Sequence, residues 1–405
     1  MKESVILIES NTTGTGRLFA QCVRSLGYRP VLLAEVPSRY TYIKDDDIDC
    51  LQVRTSEPWE LREAVSRLAQ ETPIAGIYSS SEYFIEEAAT LASSYGLPGA
   101  DPLVVKECRN KYHQRLRLKE AGIPVPRFWF ASSHSDLAEL LQSVPLPVVV
   151  KPVAGSGSVG VRLCRTYAEV LQHCSDLLNR TVNERGLPQP SDVLIEEYLE
   201  GQEYSVEIFG NAIMGITLKH VSRGPSFVEI GHDFPARLAP DVNEQIAQTA
   251  LRASKAMGLN WGPIHIEIKM TSRGPAIVEI NPRLAGGFIP ELVRLAYGID
   301  LIRESVRNIV QHAIDIKPTS NRSASIRFLV PRTSGRVRCI EGVEEARSVP
   351  GVVEVRTYVQ PGSDVQLRGD FRDRIAHVIA SGVAEGAAEH SSQTACNRIN
   401  IEVSS

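Results

Sequence analysis

The chain has no CxxC pair, no compact Cys–His cluster and no apolar run near the roughly 18 residues of a membrane span. Its seven cysteines, Cys22, Cys50, Cys108, Cys164, Cys174, Cys339 and Cys396, are scattered. That pattern argues against a structural zinc site and fits a reducing compartment. The opening apolar run, Val5 to Ile8, reads as a β-strand and is too short for the apolar part of a signal peptide. A cytoplasmic protein without membrane association is expected. An excess of one charge is missing too: the formal net charge is -4. The short basic cluster Lys111 to Arg117 suits a solvated helix face or one phosphate contact, not a nucleic-acid groove, so no nucleic-acid partner is expected. No glycine loop ends in Gly-Lys-Ser/Thr, which excludes a P-loop.

What is present is an ordinary globular composition, 43% hydrophobic and 23% charged over 405 residues. At about 150 residues per domain, two or three domains are expected. The N-terminal part alternates strands (SVILIES, RPVLLAE, AGIYSSS) with helices (RLFAQCVRSLG, YFIEEAATLASSYG), predicting a parallel sheet with helices on its faces. Gly14 and Gly16, in the turn NTTGTG, can cradle a ligand at a helix N-terminus or simply make a tight turn. KECRNKYHQRLRLKEAG reads as a helix, and Pro124 and Pro126 break the chain after it. From SDVLIEEYLEG onward strands dominate: EYSVEIFG, AIMGITLKHV and SFVEIG precede a helix, then GPIHIEIKM and AIVEINP follow. SASIRFLV, GVVEVRTYV and DRIAHVIASG predict a small mixed α/β lobe at the end.

After the strand PVVVKP comes GSGSVG, which has the spacing GxGxxG. A dinucleotide site would need a helix to open at once; here another strand, VRLC, comes first. The arrangement suits a hairpin loop whose backbone N–H groups lie over phosphate oxygens while Lys151 supplies a point charge. A surface hairpin with one solvated lysine would look the same. Downstream, Glu196 and Glu197 precede Glu203, and Glu203, Ser205 and Glu207 share one strand face. A carboxylate there can accept both hydroxyls of a ribose, and strand-end backbone groups can read an adenine edge.

In GPIHIEIK, Ile264, Ile266 and Ile268 point one way and His265, Glu267 and Lys269 the other. In AIVEINPR, Ile277, Glu279 and Asn281 are expected to share a face. An antiparallel hairpin through TSRGP would bring Glu267 close to Glu279 and Asn281, oxygen ligands suited to Mg²⁺ when substrate phosphates complete its shell. Arg283 just beyond can clamp a phosphate or carboxylate. A half-exposed hairpin with solvated acids is the plain alternative, although two unpaired like charges in one place need a neutralising cation. The segment RGPSFVEIGH, from Arg223, resembles the later RGPAIVEINPR but ends in His232.

These residues together resemble an ATP-grasp carboxylate–amine ligase, and most nearly the L-amino acid ligases that make dipeptides. The resemblance spans nearly the whole chain. It implies an α/β class, ATP-grasp fold: an N-terminal parallel-sheet domain over 1–105, a linker helix and lid over 106–195, a nucleotide- and magnesium-binding lobe over 196–310, and a C-terminal α/β lobe over 311–405. It assigns ATP phosphate contacts to Lys111 and Lys151, with Gly155, Ser156, Gly157, Ser158 and Gly160 closing over them. Glu196, Glu197, Tyr198 and Leu199 would surround adenine, and Glu203 would meet the ribose. Glu267 and Glu279 would bind Mg²⁺ (Mn²⁺ being an alternative ion), with Asn281 assisting and Arg283 stabilising phosphate and acyl group. Some related ligases carry arginine where this chain has His265, which leaves His265 either an aid to the transition state or a hydrogen-bonded wall. Glu229 and His232 match the Glu-x-Gly-His feature of the amino-acid pocket, though His232 can also simply cap a turn before Pro235. Glu82 can face the same cleft.

The implied reaction is ATP-dependent ligation of an amino acid or related carboxylic acid to an amino acid's amine through an acyl phosphate, in a homodimer. A natural-product ligase using a non-proteinogenic acid, a member of the carboxylase or purine branches, and a non-catalytic ATP-binding regulator are the alternatives.

Overall fold

The computed structural model describes residues 2–11, 15–222 and 224–404. Gly14 and Arg223, both singled out in the sequence, lie outside the described residues. The N-terminal sheet contains β1 (Ser4–Ile8), β2 (Arg29–Ala34), β3 (Asp49–Gln52) and β4 (Ile74–Tyr78), all parallel in the order β3-β2-β1-β4. The strand β3 has no apolar signature because it is an exposed or half-buried edge. Gly16 begins the first helix under close contact: an added Cβ would lie 1.9 Å from Ser10 Oγ.

The next sheet is antiparallel, β5 (Phe128–Ala131), β6 (Val148–Pro152), β7 (Arg162–Cys164) and β8 (Val193–Glu197), in the order β5-β8-β6-β7. The glycine loop joins β6 to β7 and needs positive φ at Gly155, Gly157, Ser158 and Gly160.

The remaining strands are β9 (Gln202–Phe209), β10 (Ala212–Val221), β11 (Glu229–Phe234), β12 (Pro263–Thr271), β13 (Gly274–Asn281), β14 (Ser323–Leu329), β15 (Gly335–Glu341), β16 (Val352–Thr357), β17 (Asp364–Val365), β18 (Ala376–Gly382) and β19 (Asn400–Ser404). Eight of them form one antiparallel sheet in the order β13-β12-β9-β10-β11-β14-β18-β16. The strands of the C-terminal lobe therefore continue the central sheet, and β17-β15-β19 form a separate small one. The helix Pro240–Met257 packs its buried face, including Ile246, Ala250 and Ala253, against Val206, Ile264, Ile266 and Ile268. The other face of β9 to β13 is left for polar side chains.

Two expectations need correction. The segment KECRNKYHQRLRLKEAG is two helices, Pro102–Arg109 and Lys111–Glu120, broken at Asn110. Asn110 adopts an extended conformation, and its side-chain oxygen accepts from Tyr112 N at 2.9 Å and His113 N at 3.2 Å. The break starts a helix at Lys111 and turns Lys111, Gln114 and Arg115 inward, so this side of the basic cluster is buried rather than solvated.

The second correction concerns β13. Glu267 lies opposite Glu279 as expected, but Ile268 lies opposite Ile277, because a bulge at Val278 adds a residue. Ile277 thus joins Ile280 in the apolar core, whereas Val278, Glu279 and Asn281 face the cleft.

Replacing Asn110 with alanine is expected to cost about 1 kcal/mol of stability, as lost N-caps do. Urea unfolding measures it; an unchanged midpoint would show that packing alone sets the helix break.

Candidate active site

Between the lid sheet and the polar face of the central sheet lies a cleft of about 980 Å³, open solvent at its mouth included. From the lid side come Lys151, Gly155, Ser156, Gly157 and Ser158; the link between the sheets contributes Glu196, Glu197, Tyr198 and Leu199. From the central sheet come Glu203, Glu229, Glu267, Glu279 and Asn281, with Arg283 just beyond β13 and Lys111 at the start of its helix. Four predicted residues stand behind this lining: Glu82, Gly160, His232 and His265. Val149, Phe227 and Val278 add apolar wall that the sequence reading did not assign.

The lid lysine is held by a buried strut. Lys151 Nζ lies 2.6 Å from Glu196 Oε2, and Arg115 Nε donates to Glu196 Oε1 at 2.6 Å. Burial works against the Glu196 carboxylate, but Arg115 and Lys151 outweigh it and lower its pKa. For Lys151 burial dominates and lowers its pKa, with Glu196 opposing. The Glu196 side chain is therefore spent on Lys151 and Arg115, and in the same segment Glu197 N donates to Arg127 O at 2.8 Å and Tyr198 N to Pro147 O at 3.4 Å. Lys111 Nζ ties the glycine loop to the hairpin, 2.9 Å from Gly155 O and 3.1 Å from Glu279 Oε1.

The strongest electrostatic feature is one the sequence reading missed. Lys219, on β10 and 1% exposed, places Nζ 2.7 Å from Glu229 Oε1, 2.7 Å from Glu267 Oε1 and 3.2 Å from Glu203 Oε1. Burial opposes its charge, yet the three carboxylates raise its pKa well above the ordinary lysine value. The same ammonium helps hold Glu229 and Glu267 ionised against their own burial. Its only sequence signal was a lone cation in the apolar strand AIMGITLKHV.

His265 sits beneath Glu267. Its Nδ1 is 3.0 Å from Glu207 Oε1 and its Nε2 is 3.2 Å from Glu267 Oε1. Burial pulls the imidazole down, but Glu207 and then Glu267 raise its pKa to about 9. Glu82 grips the Arg283 guanidinium with Oε2. Asn281, with its amide nitrogen toward the acids, donates to Glu279 Oε1 at 3.2 Å and Glu82 Oε1 at 3.1 Å. On the far wall, Arg374 donates to Glu229 Oε2 at 2.8 Å and lies 4.1 Å over the Phe328 ring. His232 is fully buried, 3.5 Å from Glu229 Oε2, and neither ring nitrogen has a hydrogen-bond partner among the described residues.

The donor set fits Mg²⁺ bound with a polyphosphate. Glu267 and Glu279 are direct cross-strand neighbours, with Asn281 beside them. Among the described residues no group of three or more acidic, histidine or cysteine side chains makes a self-sufficient metal cage. Two carboxylates completed by substrate oxygens is the usual protein share for this ion.

A glycine-rich lid, paired lysines and two facing carboxylates on a central antiparallel sheet define an ATP-grasp enzyme. Comparison with known proteins agrees: a family model for the ATP-grasp domain matches residues 144–291, and one for the L-amino acid ligase C-terminal domain 2 matches 327–404. The chain is 35% identical to uncharacterized protein y4rH of Sinorhizobium fredii over 404 residues, covering 100% of this chain and 84% of that one. It is 30% identical to mouse carnosine synthase 1 over 254 residues, which is 58% of this chain but only 31% of that longer protein. The crystal structure of an L-amino acid ligase from Bacillus licheniformis shares the fold, with a TM-score of 0.83 at 20% identity and full coverage of both chains. The chain belongs to the ATP-grasp carboxylate–amine ligase family and is closely related to the L-amino acid ligases. Its chemistry is that family's: ATP- and Mg²⁺-dependent amide formation through an acyl phosphate.

Substituting Lys219 by methionine leaves three carboxylates without their shared cation. A stability loss of about 3–5 kcal/mol is expected, the size seen when one partner of a buried ion pair is removed. Chemical denaturation reads it, and a loss below about 1 kcal/mol would show the cluster to be solvent-screened.

Proposed function

We propose that the chain joins the carboxylate of an amino acid, or a related acid, to the amine of a second amino acid, giving a dipeptide or amide, ADP and phosphate. The observation that carries the reading is Glu229. This carboxylate faces the same cleft as Glu267 and Glu279, backed by a buried His232 whose ring nitrogens lack partners among the described residues. Glu229 already meets Lys219 through Oε1 and Arg374 through Oε2, so a substrate ammonium would join these as a further partner on its remaining lone pairs. The likeness to carnosine synthase 1 and to an L-amino acid ligase supports a product of this class.

In this reading Lys111 and Lys151 contact the ATP phosphates, and Gly155 to Gly160 close over them. Backbone groups of Glu196 to Leu199 read adenine, and Glu203 holds the ribose. Glu267 and Glu279 would hold Mg²⁺ (or Mn²⁺), with Asn281 assisting once its amide turns the oxygen toward the ion, and the ion would neutralise phosphate charge. The substrate carboxylate oxygen attacks the γ-phosphorus; the new O–P bond forms as the bond to ADP breaks. Arg283, held by Glu82, compensates charge on the phosphoryl and acyl groups, and Lys151 does the same from the lid. The neutral amine of the second substrate then attacks the acyl carbon, phosphate leaves and the amine's proton is lost to solvent. His265 acts by fixing Glu267 from beneath. The working division is an N-terminal domain over 1–105, a linker and lid over 106–195, the nucleotide lobe over 196–310 and a C-terminal lobe over 311–405. A homodimer in a reducing cytoplasm completes the proposal; all seven cysteines are free, and no helix among the described residues is long and apolar enough to cross a membrane.

Amino-acid pairs and organic acids incubated with MgATP, with phosphate release and product mass measured together, test the reading. Phosphate release that requires a particular acid–amine pair and yields the amide mass is expected. ATP binding with no acid-dependent ADP formation across a broad screen would sink it. Glu279→Gln is expected to lower kcat by at least about 100-fold, the scale of losing one electrostatic partner of the transition state; full activity would remove Glu279 from the metal set.

A further inference from the structure

A short loop of the C-terminal lobe, residues 369–374, touches the glycine loop at one end and Glu229 at the other. The Phe371 backbone N–H donates to Gly157 O at 3.2 Å. The Phe371 ring lies so close that a Cβ added at Gly157 would sit 2.4 Å from Cδ1, and Gly157 holds a φ of +64°. Glycine is therefore needed at 157 for the turn and for the ring contact together. A second stitch lies alongside: Leu163 N, just after the glycine loop, donates to Pro225 O at 2.7 Å. The neighbouring Ser226 packs against Gly369, where an added Cβ would be 2.3 Å from its Oγ.

The loop is rigid on its own account. Asp373, buried, accepts from Arg368 N and Gly369 N at 2.8 Å each. Asp370, also buried, accepts from Arg372 N at 3.0 Å and binds the Arg372 guanidinium at 2.6 Å. At the far end Arg374 Nε donates to Glu229 O at 3.0 Å, its terminal nitrogen meets the Glu229 carboxylate, and its guanidinium stacks on Phe328. A strut thus runs from the lid backbone to the carboxylate read above as the substrate contact.

We propose that residues 369–374 form a latch in which Phe371 positions the glycine lid and Arg374 ties that position to Glu229, so that the amino-acid pocket and lid closure are coupled. Phe371 is a positioning residue; it touches the lid and none of the reacting groups. The proposal rests on reading Gly155–Gly160 as the lid and Glu229 as a substrate contact. A lid loosened from this strut admits water to the activated acid, diverting acyl phosphate to hydrolysis.

Amide hydrogen exchange on the ligand-free full chain tests the latch without presuming any substrate. Phe371→Ala is expected to speed severalfold the exchange of the Val159 and Val161 amides, which donate within the loop to Ser156 O and Ser158 O, with Phe371→Leu intermediate and β9 to β13 unaltered. Arg374→Gln, although remote from the lid, is expected to do the same. Unchanged lid exchange in Phe371→Ala overturns the latch, as does equal loosening of the whole central sheet. Faster exchange in Phe371→Ala but not in Arg374→Gln overturns the coupling to Glu229. In turnover, Phe371→Ala is expected to form severalfold less amide per ADP while still cleaving ATP; unaltered stoichiometry contradicts the lid-closing role. A wild-type chain without acid-dependent ADP formation would instead tell against the ligase reading, so the two failures are separable.

Discussion

One buried ammonium organises the reacting end of this molecule. Lys219 gathers carboxylates from three strands, Glu203 of β9, Glu229 of β11 and Glu267 of β12, around one nitrogen. Without a shared cation, three acids brought this close would repel one another or take up protons. With it they stay ionised and are fixed relative to one another, so the groups proposed for ribose, metal and substrate ammonium share a single electrostatic anchor. Their spacing is set by the sheet: Lys219 pairs in register with Glu203 on β9 and His232 on β11, while Glu267 lies on β12.

The same division of labour repeats across the cleft. One face of β9, β12 and β13 is aliphatic and packs on the long helix, which makes the polar face a rigid platform. The lid contributes Lys151 to the cleft, but that lysine is not free. The Arg115–Glu196–Lys151 chain fastens it to a helix that begins only because Asn110 interrupts the preceding one. Lys151 and Arg283 are each fixed by a buried acid, Glu196 and Glu82; in the mechanism proposed above, this is the preorganisation that electrostatic catalysis requires.

Much of this was readable from local pattern. The alternation of β12 set Ile264, Ile266 and Ile268 on one face and His265, Glu267 and Lys269 on the other; the isoleucines are in the core, Glu267 and Lys269 line the cleft, and His265 stands just behind Glu267. The twin Val-Glu-Ile segments also carry Glu229 and Glu279 into one cleft, although their strands are separated by β12, β9 and β10. What escaped was whatever depends on non-local pairing or on one inserted residue. The bulge at Val278 preserves Glu279 and Asn281 on the polar face while moving Ile277 off it, and no periodicity shows that in advance. The capping asparagine was visible in KECRNKYH but was outweighed by the helical composition around it. Lys219 and Arg115 have distant partners, and the joining of β14, β18 and β16 to the central sheet brings together segments far apart in the chain.

The central claim is that a carboxylate is activated as an acyl phosphate and then captured by an amine. Following oxygen tests it most directly. With the acid substrate labelled at its carboxylate by ¹⁸O, each amide formed is predicted to send one labelled oxygen into inorganic phosphate, with ADP as the nucleotide product. Label recovered in AMP, or amide formed with no label in phosphate, would contradict the account.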